Sequence, residues 1–369
     1  MDPLLTRRAL NRATLRRQWL VERAGMSTPE MVEHLAGLQA QTPHSWYTGL
    51  WNRIEGFRAE EASRLLETRR LVRIALQRGT IHLVTARDCL AMRPLLEPVI
   101  ARMTRTTFGR RLAGVDLEEL AAVGRALVEE RPMTFAELGK ALAARWPGND
   151  PHALGQGVRW LVPLVQVPPR GLWGRSGPVA HTSAEHWLGL EAPPMTPAEL
   201  VRRYLAAFGP ASVKDVQTWS GLTRLKEVVD GMDLPRFRDE EGRVLYDLPD
   251  AARPDPDLPV PVRLMYDFDN LFLSHDDRSR VLTETALKEV SPAFVKANVM
   301  WRLILVDGFT MGDWTTSRAG GTTTLTIHQW RSFAPGDLEA AVAEARRLLA
   351  FLAPGDGHEV LTRVGSSRT

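Results

Sequence analysis

The sequence predicts an α+β protein made of three tandem winged-helix units and a small C-terminal antiparallel β-barrel. Two segments share one order of elements, in which three helical patterns lead into a two-stranded hairpin, and this order is typical of a winged helix. Strand-like alternation replaces it in the last third of the chain. The predicted boundaries are 1–112, 113–193 and 194–258 for the three units and 259–369 for the barrel with its terminal helix.

Helical patterns dominate the first predicted unit. They lie at about 7–24, 29–39, 45–54 and 59–68. A hairpin follows, with strands at 71–76 and 80–84 and a turn at Arg78-Gly79. The segment therefore repeats the outline of a winged helix.

The second and third units are predicted to have the same elements in the same order. In each, a break that contains proline separates two helices, and Thr134 and Ser212 are the expected N-caps after the breaks. The helices lie within 116–146 and 197–220, with third helices at 154–164 and 225–232. The candidate hairpins lie within 165–181 and 237–248. Helix pairs with hairpins also occur in unrelated folds, so the pattern alone leaves the function open.

A proline-rich linker at 254–261 precedes the predicted barrel. Three strands and a helix follow, at 300–306, 308–315, 322–330 and 335–352. The polar turn at 316–321 carries Arg318 and two glycines, which would allow close approach to a nucleic acid backbone. As a plain hairpin turn it would need no function.

Composition and charge narrow the class of protein. The formal net charge is only +3, but arginines cluster within 7–17, 69–78 and 102–111 while 247–257 is acidic, which suggests a polyanionic partner. A single cysteine, Cys89, excludes an intramolecular disulfide framework. No apolar run approaches the roughly 20 residues of a membrane span. These observations favour a cytoplasmic protein.

The usual catalytic and metal-binding motifs are absent from the sequence. It has no phosphate-binding glycine loop before a helix, no nucleophile elbow and no His or Cys pair with metal spacing. His275 with two following aspartates is the nearest approach to a ligand cluster, but adjacent residues in extended backbone point in opposite directions. His82 lies in an apolar strand, where a core histidine is the ordinary expectation. We predict neither a metal nor a cofactor.

The segment 39–43, QAQTP, is the one that points to chemistry. Pro43 disfavours helical geometry at Thr42, so the helix before it should end near Gln39. In extended backbone positions i and i+2 share a face, whereas on a helix they diverge by roughly 200°. The amides of Gln39 and Gln41 are therefore predicted to lie side by side and to hold one water molecule. Glutamine pairs near helix ends are otherwise ordinary surface residues.

Four parts of the chain, taken together and in order, resemble the AlkZ-like family of bacterial DNA glycosylases. They are 38–41, 78–83, 268–278, and 306–309 with 312–314. The resemblance spans nearly the whole chain and implies a concave DNA-binding surface of winged helices and a barrel, with catalysis by Gln39 and Gln41. Asp313 departs from the family pattern, in which a small or neutral residue is expected.

The resemblance also implies a substrate. The family excises bulky N7-alkylguanines from double-stranded DNA and unhooks interstrand crosslinks, often as self-resistance in actinomycetes that make DNA-alkylating antibiotics. The candidate DNA contacts are Arg78, His82, His275, Arg278 and, as a minor-groove probe, Arg318. A monomer at the nucleoid is expected.

Glutamine side chains suit the excision of an N7-alkylguanine. Alkylation at N7 makes guanine cationic, so the base leaves as a neutral molecule and the enzyme has only to place water near the developing oxocarbenium ion. A bulky lesion is costly to extrude into a tight pocket, which favours an open site. Two alternatives remain: a winged-helix transcription regulator, which fits the repeats, and a lesion-binding resistance protein without turnover.

Overall fold

Helices and short strands alternate along the chain in a computed structural model that describes residues 2–288 and 301–366. This arrangement confirms the predicted α+β class. Within these two ranges, none of the helices combines the length and the apolar character that a membrane crossing requires.

The four predicted N-terminal helices are present, and each is shorter than expected. They are α1 (Arg7–Arg17), α2 (Thr28–His34), α3 (Trp46–Trp51) and α4 (Ala59–Glu67). A capping box of Ser27 and Glu30 begins α2. The prediction that this helix ends near Gln39 is wrong, because Ala36 and Gly37 have φ values of 51° and 93° and turn the chain out of the helix.

Six strands form one sheet that joins the first two predicted units. They are β1 (Leu38–Gln39), β2 (Leu71–Ala75), β3 (Ile81–Thr85), β4 (Met133–Thr134), β5 (Leu164–Gln166) and β6 (Ala180–Ser183). The order is β1-β3-β2-β5-β6-β4 and every pairing is antiparallel. The β2–β3 and β5–β6 hairpins were both predicted. Their pairing with each other, Ile74 opposite Val165, was not.

The helices of the second and third predicted units follow the expected order. They are α6 (Leu117–Glu130), α7 (Phe135–Ala143), α8 (Pro151–Leu161), α10 (Pro197–Phe208), α11 (Val213–Ser220) and α12 (Leu225–Asp230). Thr134 and Ser212 cap α7 and α11 as predicted, each in a capping box. The third hairpin is also present, as β7 (Arg236–Arg238) and β8 (Val244–Tyr246). The unit boundaries remain predictions.

Two helices were missed, α5 (Ala86–Phe108) and the short α9 (Ala184–Leu188). Pro94 and Pro98 lie inside α5, and proline in a helix interior ordinarily argues against a helix. The helix forms because Thr85 caps its first turn and its buried face packs in the largest apolar core. Tertiary packing therefore outweighs the local signal.

The C-terminal strands form an open mixed sheet, so the described residues do not confirm the predicted small antiparallel barrel. The strands are β9 (Arg263–Leu264), β10 (Leu303–Val306), β11 (Phe309–Ala319), β12 (Thr322–Gln329) and β13 (Gly357–Val364). Their order is β13-β12-β11-β10-β9, and β13 runs parallel to β12. The edge strand β9 has only two residues, too few to close the sheet onto β13.

A long helix covers one face of this sheet instead. Helix α13 (Pro335–Leu352) has the predicted bounds and packs Ala345 and Leu348 against Leu325 and Ile327. The strand predicted at 300–306 is shortened to β10, and Met300 lies outside the described residues.

Candidate active site

The first glutamine of the motif lies on β1, the edge strand of the six-stranded sheet. Gln39 is opposite His82 of β3, and the Ala40 N–H donates to the Ile81 carbonyl at 2.8 Å. The extended backbone predicted for the motif is therefore present at these residues. Gly37 permits this pairing, because its φ is 93° and a Cβ there would approach Val84 Cγ1 to 2.8 Å.

Three contacts from two distant segments hold Gln39, which is only 3 % exposed. Its Oε1 accepts a hydrogen bond from Arg78 Nη2 at 2.7 Å. Its main-chain N–H donates to Asn270 Oδ1 at 3.3 Å, and its carbonyl accepts from the Tyr266 hydroxyl at 3.2 Å. The main chain of Gln39 is therefore held at two points, and its side-chain oxygen is held by Arg78.

The second glutamine, Gln41, is exposed. Its Oε1 accepts the main-chain N–H of Ile81 at 3.3 Å. Residues 78–81 thus contact the side-chain oxygens of both glutamines. Because an amide oxygen has two lone pairs, each oxygen keeps one lone pair that these contacts do not use.

Arg78 supports Gln39 directly, a role that the sequence analysis did not predict. It occupies the turn between β2 and β3 with φ of 56°, and its Nη1 donates to the Trp219 carbonyl at 2.6 Å. Burial, together with the nearby charge of Arg278, lowers the pKa of Arg78 to about 10, so the guanidinium remains charged at neutral pH. Arg278 is partly exposed, and burial also lowers its pKa.

The two histidines predicted to contact DNA lie in the interior. His82 is 0 % exposed with Nδ1 3.0 Å from the Thr80 carbonyl, and His275 is 3 % exposed with Nε2 3.0 Å from the Phe208 carbonyl. Burial lowers the pKa of both to about 3, so both rings are neutral at physiological pH. The structure therefore corrects both residues from surface contacts to internal hydrogen-bonding groups.

Arg318 is exposed near the end of β11, in the hairpin that the sequence predicts. Gly320 and Gly321 form the tight turn, with φ of 55° and 77°. The guanidinium makes a bidentate pair with Asp356, Nε to Oδ2 and Nη2 to Oδ1 both at 2.7 Å. A phosphate would have to replace this carboxylate.

Asp313, the departure from the family pattern, has an internal partner. It is 2 % exposed, and its Oδ1 accepts a hydrogen bond from Trp330 Nε1 at 2.7 Å. The carboxylate therefore joins β11 to the residue that directly follows β12.

A cavity of about 600 Å³ adjoins the motif. Thr42, the residue after Gln41, lines it, as does Tyr266, whose hydroxyl contacts Gln39. Trp173 and Trp314 also line this space, which we call the aromatic cavity. The sequence could not reveal it, because its walls come from segments more than 300 residues apart.

Comparisons with known proteins agree with this architecture. A family model described as DNA glycosylase AlkZ-like matches residues 32–351. The solved structure of Streptomyces sahachiroi DNA glycosylase AlkZ is similar, with a TM-score of 0.72 and 19% identity over 99% of this chain and 100% of that one. No curated protein sequence gives a significant match. Since the family model covers most of the chain, this protein belongs to the AlkZ-like family of DNA glycosylases.

Proposed function

We propose that this DNA glycosylase hydrolyses the N-glycosidic bond of bulky N7-alkylguanines in double-stranded DNA, with Gln39 and Gln41 as catalytic residues. The observation that carries the proposal is the orientation of the Gln39 amide by Arg78, next to a roomy cavity. The proposal extends to unhooking of crosslinks, to self-resistance against a DNA-alkylating natural product, and to a monomer that binds DNA through tandem winged-helix units.

The reaction needs little acid or base chemistry. The C1′–N9 bond breaks with its electron pair going to the base, which leaves as neutral N7-alkylguanine, and water then adds to the oxocarbenium carbon and loses its proton to solvent. The oxygens of Gln39 and Gln41 hold this water and place negative dipoles near C1′. Because glutamine does not titrate, only lesions already activated for departure are excised.

Turnover separates this function from its alternatives. The protein would be incubated with a duplex that carries one N7-guanine adduct of a nitrogen mustard, and abasic sites would be counted. Several abasic sites per protein molecule support the enzyme. Tight binding that protects the adduct without cleavage supports a lesion-binding protein, and equal binding of damaged and undamaged duplex supports a regulator.

Excision should be nearly independent of pH from about 6 to about 9 and unaffected by a chelator. His82, opposite Gln39, is neutral throughout because its pKa is about 3, and Arg78 stays charged because its pKa is about 10. Single-turnover rates across this range would check it. A rise governed by one ionisation, or activity lost with EDTA and restored by a metal, would contradict it.

The exposed arginines near the end of α5 are candidate phosphate contacts. Arg102 and Arg105 are exposed and flank Met103, which packs against Gly79 beside Arg78. Because Met103 lies between them in the chain, this part of α5 adjoins the turn that supports Gln39. Contacts to phosphates carry no sequence information, so they strengthen the binding of every duplex sequence equally.

Replacing Arg102 and Arg105 together by alanine should weaken binding to all duplexes and flatten the slope of log affinity against log salt by about two units, roughly 0.9 per contact. Binding of labelled duplex at several salt concentrations measures this slope. Arg346→Ala, at an exposed arginine on α13, is the matched control. An unchanged slope in the double variant would show that neither arginine contacts a phosphate.

A further inference from the structure

We propose that the aromatic cavity binds the substituent on guanine N7 and selects substituents that carry an aryl ring with a polar group. This inference rests on the proposed function. It adds a specificity site to a motif that, by itself, distinguishes lesions only by how readily the base departs.

The tryptophans of the cavity are held in place by the surrounding protein. Trp173 stacks on Phe351, with ring centroids 5.1 Å apart. Trp314 is 3 % exposed, its Nε1 donates to the Met265 carbonyl at 2.9 Å, and Arg302 lies 4.9 Å from its ring centroid. Fixed, flat surfaces bind a flat ring with little loss of side-chain freedom.

Two cavity residues carry a polar atom that lacks a partner within the described part of the protein. His44 Nε2 and Ser45 Oγ are buried, and neither has a hydrogen-bond partner there. The cavity residue Thr42 donates its hydroxyl to Asp267 Oδ2 at 2.7 Å, and Asp267 Oδ1 is buried without a partner in the described residues. Such atoms favour a ligand that brings its own donor or acceptor.

Position and size connect the cavity to the lesion. Thr42 directly follows Gln41, and Tyr266 both lines the cavity and donates to the Gln39 carbonyl, so a group on a guanine at the motif can extend into the cavity. The volume, about 600 Å³, is that of a site for a drug-sized ligand. A methyl group would leave it nearly empty.

Two matched substrates test the inference. Both are N7-guanine monoadducts of nitrogen mustards in the same duplex, one with an aryl and one with an alkyl substituent on the mustard nitrogen. The wild-type protein is expected to excise the aryl adduct on the order of 10-fold faster, as two aromatic contacts of about 0.7 kcal/mol each would give.

Filling the cavity should remove this preference. Ala353 lines the cavity, so Ala353→Trp is expected to bring the ratio of the aryl to the alkyl rate close to one. Ala340→Trp adds the same side chain at an exposed position of α13 and should keep the wild-type ratio. If Ala353→Trp does not fold, Trp173→Leu removes one wall and should lower the ratio instead.

The outcomes separate the two proposals. A wild-type protein that excises both adducts at one rate, or variants that retain the wild-type ratio, would overturn the specificity site and leave the proposed function intact. A wild-type protein that excises neither adduct would overturn the proposed function, and the specificity site with it.

Discussion

Replacing Gln39 or Gln41 by alanine should lower the single-turnover rate of excision by on the order of 10²-fold, the loss expected when one preorganised polar contact to the transition state is removed. Each substitution removes an amide oxygen that would hold the attacking water. The Gln39 change also leaves Arg78 Nη2 without its acceptor. Rates measured with protein in excess over an N7-alkylated duplex would show the loss.

The control for this result is a glutamine on a different strand of the same sheet. Gln166→Ala, on β5, should retain the wild-type rate, and all variants should bind undamaged duplex equally. Thermal melting would establish that each variant is folded. A double variant of Gln39 and Gln41 that excises at the wild-type rate would remove both residues from the mechanism.

Replacing Arg53 by methionine should lower the free energy of unfolding by about 3–5 kcal/mol, the cost of breaking a buried ion pair from one side. Arg53 and Asp269 are 1% and 0% exposed in their side chains, and two hydrogen bonds of 2.9 and 2.8 Å join them. The substitution leaves the Asp269 carboxylate buried without its countercharge. Urea unfolding would measure the change.

An exposed ion pair supplies the comparison. Arg111 and Asp150 lie 3.3 Å apart with side chains that are 58% and 37% exposed, so Arg111→Ala should cost no more than about 1 kcal/mol. Arg53→Met combined with Asp269→Leu should recover part of the loss, because neither charge is then left unpaired. Equal effects of Arg53→Met and Arg111→Ala would show that the buried pair contributes little.

Local sequence signals predicted the helix caps and hairpins well. Thr134 and Ser212 are caps in the structure as predicted. Each side chain accepts the main-chain N–H of the residue three positions later, so the contact depends only on neighbouring sequence. The Gly320-Gly321 turn is local in the same sense. The extended backbone at Gln39 followed from Pro43, although the helix before it ends five residues earlier than expected.

Local sequence signals could not predict the features that depend on contacts between distant segments. Sequence periodicity cannot show that α5 tolerates Pro94 and Pro98, since the packing that compensates comes from other helices. It cannot show that Arg78 donates to Gln39 across 39 residues, or that Arg318 pairs with Asp356. Strand alternation also reveals neither the parallel partner β13 nor the open edge of the sheet.

The pairing of β2 with β5 limits where this chain can be divided, both in protein engineering and in recombination between relatives. A graft or recombination point between residues 112 and 113 would part these strands and leave two unpaired edges, and such edges recruit other chains. The hairpin β2–β3 also carries Arg78 at its turn, so a shift of strand register at the new junction would displace the group that donates to the Gln39 amide. The first 190 or so residues are therefore exchangeable between relatives only as one block.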